Sequence, residues 1–156
     1  MSIESVREYF RTWNMDEKIL EFDVSSATVE LAARALNCEP QRIAKTMSFM
    51  LGEKCVLVVT AGDAKIDNAK YKKLFGKKAK MIRPENVNEL TGHEVGGVCP
   101  FAIPQGTLVY LDTSLKRFTT VFPACGSSNS AIELSPGELE QYSHAESWID
   151  VCKDWS

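Results

Sequence analysis

Seven consecutive residues, Cys55-Val56-Leu57-Val58-Val59-Thr60-Ala61, carry one polar side chain among them. A run this apolar and this short reads as a strand covered on both faces. Such a strand needs a packed layer on each side, so it places itself near the middle of a sheet and demands a core around it. The 156 residues are enough to bury one such core without disulfides or metal. Upstream, Lys45-Thr46-Met47-Ser48-Phe49-Met50-Leu51 alternates with the period of a strand, and Gly52-Glu53 makes a tight turn between the two. Side chains two apart share a face, so Lys45 points the same way as Met47, Phe49 and Leu51. A cation at the mouth of an apolar face is costly unless an anionic or strongly dipolar group meets it.

The flanking segments supply helices. Ile3, Val6, Phe10 and Trp13 fall at helical spacing, as do Val29, Ala32, Ala33 and Leu36, with Thr28 as N-cap and Pro40 closing the second helix. Gly62-Asp63 ends the apolar strand, and Asp67 caps a basic helix that stops at Gly76. The sequence predicts a strand over 80–82, then a helix with Pro84 in its first turn and Val87 and Leu90 inward. Strands are expected over 107–111, 119–122 and 131–134, with Gly126-Ser127-Ser128-Asn129 as a loop. Ser135-Pro136-Gly137-Glu138 is a capping box. No repeat, low-complexity tract or linker interrupts the chain, so one mixed α+β domain over 1–156 is expected.

Apolar content of 44% and charged content of 25% suit a soluble globular protein. No apolar run approaches a membrane span, and Met1-Ser2-Ile3-Glu4 opens no targeting segment, so a membrane is not an expected partner. The five cysteines are scattered, none forms a Cys-x-x-Cys pair, and neither His93 nor His144 is close to one in sequence. This predicts no metal site and no disulfide framework, and favours a reducing cytoplasm. A net charge of −3 argues against a general nucleic-acid binder, DNA included. Yet Lys65, Lys70, Lys72, Lys73, Lys77, Lys78, Lys80 and Arg83 crowd a stretch in which Asp67 is the only acid. That stretch is either a solvated face or a phosphate-binding patch on an acidic protein.

The second chemical feature is Gly96-Gly97-Val98-Cys99-Pro100-Phe101. Two glycines let backbone approach a ligand closely, and the proline stiffens the loop. A fixed cation at Lys45 and a loop of exposed N–H groups describe a site for a polarised carbonyl or a phosphate. Asp63 either orients a substrate amine or ribose or simply forms the turn. His93, beside the loop, is a candidate base but reads better as a surface turn residue. Cys99 as a nucleophile would need a cationic or imidazole partner to lower its pKa, and the sequence shows no convincing one.

Several of these pieces, in this order, resemble the YbaK family of aminoacyl-tRNA editing domains. The resemblance covers about 24–139 and rests on Arg42-Ile43-Ala44-Lys45-Thr46, Gly62-Asp63, Thr91-Gly92, Gly96 to Phe101, Leu111-Asp112-Thr113-Ser114-Leu115 and Gly126-Ser127-Ser128-Asn129. It also includes Ile132-Glu133-Leu134-Ser135-Pro136. It implies an α+β domain whose mixed, partly barrel-like β-sheet is flanked by helices, and hydrolysis of the ester on a mischarged tRNA without a cofactor. The family's lysine maps onto Lys45 and its Gly-x-x-x-Pro loop onto Gly96, Gly97, Val98, Cys99 and Pro100, where serine is common at position 99. Thr46, Asp63, Phe101, Gly126, Ser127 and Ser128 are then the expected substrate-binding residues. Lys65, Lys70, Lys72, Lys73 and Lys77 are the expected contacts to the tRNA backbone. The expected partners are the tRNA acceptor end, with prolyl-tRNA synthetase as a candidate second. A non-catalytic tRNA- or synthetase-binding module of the same fold is the competing expectation.

Overall fold

The computed structural model describes residues 2–156. In chain order its helices are α1 Ser2–Arg11, α2 Val29–Leu36, α3 Asn68–Phe75, α4 Pro84–Thr91 and α5 Pro136–Ser143. Its strands are β1 Leu20–Glu21, β2 Ile43–Leu51, β3 Lys54–Ala61, β4 Lys65–Ile66 and β5 Leu108–Asp112. Then follow β6 Phe122–Pro123, β7 Ser130–Ala131, β8 Ser147–Ile149 and β9 Cys152–Lys153. The apolar run lies where its composition demands: β3 is the middle strand of the main sheet, order β6-β2-β3-β5-β8, and is buried from Cys55 to Ala61.

The sheet is mixed. β2 and β3 are antiparallel and joined by the two-residue turn, with Gly52 at φ +65, a conformation that glycine adopts without strain. The pairings β6–β2, β3–β5 and β5–β8 are parallel. Two short antiparallel pairs, β1–β7 and β4–β9, form separate two-stranded sheets. The α+β class and the partly closed sheet agree with the expectation from sequence. On one side α1 sends Val6 and Phe10 into the core, where the Phe10 ring meets Phe101 at 4.7 Å. Tyr71 of α3 covers Phe49 of β2, with ring centroids 5.1 Å apart.

Local chemistry sets the helix ends. Thr28 accepts from the Leu31 amide, Asp67 from Ala69 and Lys70, and Ser135 with Glu138 closes the capping box. Gly76 and Gly92 end α3 and α4 in the left-handed conformation.

Three predicted strands are shorter than expected. Residues 80–82 form one bridge, Met81 to Phe49. The 119–122 strand reduces to β6, and 131–134 splits, with Ala131 in β7 and Leu134 bridging Val121. The last two segments pass between partners, Val121 bridging Leu134 while Phe122 joins β2 and Ala131 joins β1, so neither ladder lengthens. β1, β4, β8 and β9 carry no periodic signal and were not expected; distant pairing alone creates them. Lys65, predicted to belong to a lysine-rich tRNA contact, is one of these strand residues and pairs with Lys153.

Candidate active site

One edge of β2 is interrupted, and the interruption opens a cavity. The Met50 amide donates to the Lys80 carbonyl at 2.9 Å, and the Ser48 carbonyl accepts from Ile82 at 3.1 Å. Even-numbered residues of β2 therefore aim their backbone polar groups away from β3. At the other end Ala44 is paired with Pro123 of β6. Thr46 lies between these two attachments, and its outward N–H and C=O meet no strand. Its side-chain hydroxyl is likewise without a hydrogen-bond partner among the described residues.

The cavity beside this edge is about 400 Å3. Its walls are the Lys45–Ser48 stretch of β2, the start of α2, Met81 and Ile82, Val87 of α4, Phe122, and the loop residues Val95, Gly96 and Val98. Most of that lining is apolar. Lys45 stands in it half-buried, in no ion pair among the described residues. Burial is the main cause that lowers its pKa from the usual lysine value. Cys152 and Asp63 counteract burial, and Lys65 adds to it.

The loop is held in place from behind. A Cβ on Gly97 would lie 2.6 Å from the Ser127 amide nitrogen and 2.7 Å from the Gly126 carbonyl carbon, so two backbones touch here and only glycine fits. Gly96, at φ +91, would meet Ala27 at 3.0 Å and Ser128 at 3.5 Å. The Gly97 N–H donates to the Glu94 carbonyl at 3.0 Å. Among the described residues, the N–H groups of Gly96 and Val98 have no acceptor within the chain. Backbone donors without partners beside a half-buried cation form a preorganised environment for developing negative charge.

The structure thus brings Lys45, Thr46, Gly96 and Val98 to one cavity, with Gly97 behind them and Gly126, Ser127 and Ser128 as the support of the loop rather than its lining. Four of the expected site residues lie away from this cavity. Cys99 does not line the site: it is fully buried, its sulfur 3.5 Å from His93 Nε2 and 3.8 Å from the Phe101 carbonyl, and burial pushes the thiol up to about 12. Phe101 packs into the core against Phe10 and is not part of the cavity wall. Asp63 is held by Arg117 through two bonds of 2.6 and 3.0 Å, and it does not reach the cavity. Pro100 faces a separate cavity of about 420 Å3, beside Tyr9 and His144.

His93 is not a surface residue. It is fully buried, and its Nε2–H donates to the Phe101 carbonyl at 2.7 Å, which leaves Nδ1 as a bare lone pair without a partner among the described residues. Burial holds its pKa below the usual value, so the ring is neutral and fastens the far end of the loop. Lys70 is occupied as well, by Asp150 at 3.0 Å and the Cys152 carbonyl at 2.9 Å. Lys72, Lys73 and Lys77 are exposed, with Lys77 near the β2–β3 turn at Gly52.

Several lining residues had no signal in the sequence: Ser26 and Ala27 before α2, and Ala124 and Ser130 beyond β6. Met81 had one, an apolar side chain in a cationic stretch. Arg42 had another. Its guanidinium stacks over Phe122 at 4.9 Å and donates to the Thr120 carbonyl at 3.1 Å, joining the start of β2 to the β6 wall. Among the described residues, no cluster of three or more His, Cys, Asp or Glu side chains is placed to hold a metal ion.

Comparison with known proteins supplies a context for this geometry. The model of the aminoacyl-tRNA editing domain matches residues 23–142. YwhH of Bacillus subtilis (strain 168), a protein described as uncharacterized, is 57% identical over 99% of both chains. Proline–tRNA ligase of Aquifex aeolicus (strain VF5) is 30% identical over 81% of this chain, which spans 22% of that ligase. A crystal structure of a protein whose suggested role is trans-editing for prolyl tRNA synthetase superposes with a TM-score of 0.88. It shares 28% identity over 97% of each chain. The hypothetical protein APE2540 gives a TM-score of 0.85 at 30% identity, over 96% of this chain and 99% of its own. The matched segment runs from the entry of α2 through both loops to α5 and so contains the whole cavity; the chain belongs to the aminoacyl-tRNA editing domain family.

Proposed function

We propose that the protein is a trans-acting aminoacyl-tRNA deacylase. In this reading it hydrolyses the ester of a mischarged tRNA, with tRNA(Pro) carrying a small non-cognate amino acid such as cysteine or alanine as the favoured substrate. The observation that carries the reading is a single cavity holding a desolvated lysine and the unpartnered amides of Gly96 and Val98. An aminoacyl ester is already activated, so catalysis reduces to positioning and to stabilising the oxyanion. Water adds to the ester carbonyl carbon, negative charge collects on the carbonyl oxygen, and the loop amides and Lys45 meet it. The bond to the ribose oxygen then breaks, that oxygen takes a proton, and free amino acid and uncharged tRNA leave. No side chain in the cavity is placed as a general base, since His93 is sealed beneath the loop. A hydroxyl of the terminal ribose is the group we assign to guide the water.

The apolar lining from Ala32, Ile43, Ala44 and Phe122 suits a small uncharged side chain. The exposed lysines Lys72, Lys73 and Lys77 are candidates for tRNA backbone contact, and prolyl-tRNA synthetase is a candidate partner. The test is deacylation of a panel of mischarged tRNAs by the wild type and by Lys45→Ala. The variant should lose of order 10²–10³ in rate while remaining folded. Wild-type activity in Lys45→Ala, or no hydrolysis of any mischarged tRNA by the wild type, removes the reading.

A further inference from the structure

A half-buried ammonium such as Lys45 is drawn to any free anion nearby, yet among the described residues it is in no ion pair. The anions around it must therefore be occupied. Strand register shows where they stand. Lys45 pairs with Thr60 of β3 and Val59 pairs with Leu111 of β5, so Asp112 falls one rung on, beside Thr60. Lys45, Thr60 and Asp112 form one row across three strands, with their side chains on one face. Beyond Thr60, β3 ends at Ala61 and the chain turns through Gly62 into Asp63, whose charge acts on Lys45. The other ionisable groups that act on it are Cys152 of β9, Lys65 of β4 and Glu30 of α2. Burial first, and then Asp112, push the Cys152 thiol well above its usual value, so it stays neutral and offers no counter-ion. Lys65 is a cation, and Glu30 is exposed to water. That leaves Asp112 and Asp63, and both are taken. Asp112 is fully buried, one oxygen accepting from the Ser114 amide at 3.0 Å and the other from Val151 at 2.9 Å. Asp63 is held in the two-bond fork of Arg117. That guanidinium is fixed in turn: its Nε–H donates to the Ser114 carbonyl at 2.8 Å, and it stacks on Phe118 at 4.7 Å and Trp155 at 4.8 Å. Backbone secures Asp112, whereas the hold on Asp63 depends on one side chain.

Resting on the deacylase reading, we propose that Arg117 is a positioning residue: by holding Asp63 it denies Lys45 a counter-ion and leaves the ammonium free to meet charge in the cavity. Arg117 is not part of the cavity wall and acts only through the aspartate. Its planar fork matches a carboxylate in two places, where a lysine offers a point charge, so Asp63 stays with Arg117 while both cations are present. Without the fork, Lys45 is the cation left for Asp63 to pair with.

Two variants test this. Arg117→Gln removes the fork, and Arg117→Gln/Asp63→Asn removes the fork together with the charge it holds. In the single variant the pKa of Lys45 should rise by about one unit, because a nearby anion favours the charged form. The titration is followed by NMR of lysine-labelled protein, with the Lys45 signal assigned by its loss in Lys45→Arg. The kcat for deacylation of mischarged tRNA should fall of order tenfold with KM little changed, since the lost interaction belongs to the transition state. The double variant should regain the wild-type titration and most of the rate, which a mere loss of packing around Arg117 would not allow. An unchanged Lys45 titration in Arg117→Gln, or a double variant as slow as the single one, overturns the proposal. So does a single variant that fails to fold while the double variant folds, because the freed aspartate would then have found no partner in Lys45. If the wild type hydrolyses no mischarged tRNA, the deacylase reading fails, and the Lys45 titration still decides whether Arg117 keeps Asp63 from the lysine.

Discussion

The six residues from Gly96 to Phe101 divide into two regions with opposite characters. Gly96 and Val98 open onto the cavity and offer backbone donors. Cys99 and Phe101 are sealed in the core, tied through a sulfur contact and a carbonyl to the buried ring of His93. The reactive-looking side chains are on the buried side, and the side facing the cavity contributes main chain. A loop of this kind is built by anchoring one half so firmly that the other half can present its main chain without side chains of its own.

The sharpest way to break this contrast is at Gly97, where the two halves meet the 126–128 support. Gly97→Ala places a Cβ 2.6 Å from the Ser127 nitrogen, and backbone on both sides leaves nothing soft to yield. Overpacking of this kind costs about 1–3 kcal/mol, and the displaced donors should lower the deacylation rate by of order 10²-fold. Gly106→Ala is the control: its φ is +94 but nothing lies within 4 Å of the added methyl group. It should lose about 1–2 kcal/mol of stability from the backbone conformation alone, with kinetics intact. Equal kinetic loss in both variants, compared by thermal unfolding and deacylation, would mean that close contact at Gly97 is not what holds the loop.

The anchored half is sharpened by pH. Burial lowers the pKa of His93, so between its folded pKa and about 6.5 the unfolded chain binds a proton that the folded chain refuses. Its share of stability is present above about pH 6.5 and is lost as the pH falls, at most about 1.4 kcal/mol per pH unit. His93→Gln keeps a side-chain N–H for the Phe101 carbonyl and cannot titrate. Denaturant midpoints measured from pH 7.5 to 5 should therefore fall less steeply for the variant than for the wild type. Parallel curves would show that His93 does not carry this acid sensitivity.

The smallest effect is expected at Cys99. With its thiol pushed up to about 12 and no exposed surface, it should resist iodoacetamide in the folded protein while half-exposed Cys38 reacts. Cys99→Ser should change deacylation only a few-fold. Rapid labelling of Cys99 by mass spectrometry would put it on the wrong side of the loop.

Much of the frame was legible from local chemistry. The 55–61 run announced the central strand, and Thr28, Asp67, Ser135, Gly76 and Gly92 marked helix ends because capping is decided within four residues. Lys45 was legible because a cation inside a strand alternation breaks its own pattern. The misreadings share one cause. Asp63 finds Arg117 54 residues away, Ile66 pairs with Cys152, and His93 turns inward to a carbonyl on the far side of its own loop. Periodicity gives a side chain's direction in a strand or helix, whereas a loop side chain takes its direction from whatever folds against it. The contact between His93 and Cys99 spans six residues, yet no spacing rule announces it.

The break in the β2 edge has one more consequence. An exposed strand edge is a template on which other chains can polymerise. Here Ala44 is taken by Pro123 and Ser48 by Ile82, so the vacancy at Thr46 is one rung long, with a protein wall at either end. A second copy of the chain would need several consecutive rungs to gain a foothold, whereas a small molecule needs only one. At Thr46 the opening is wide enough for a small molecule and too short for another strand.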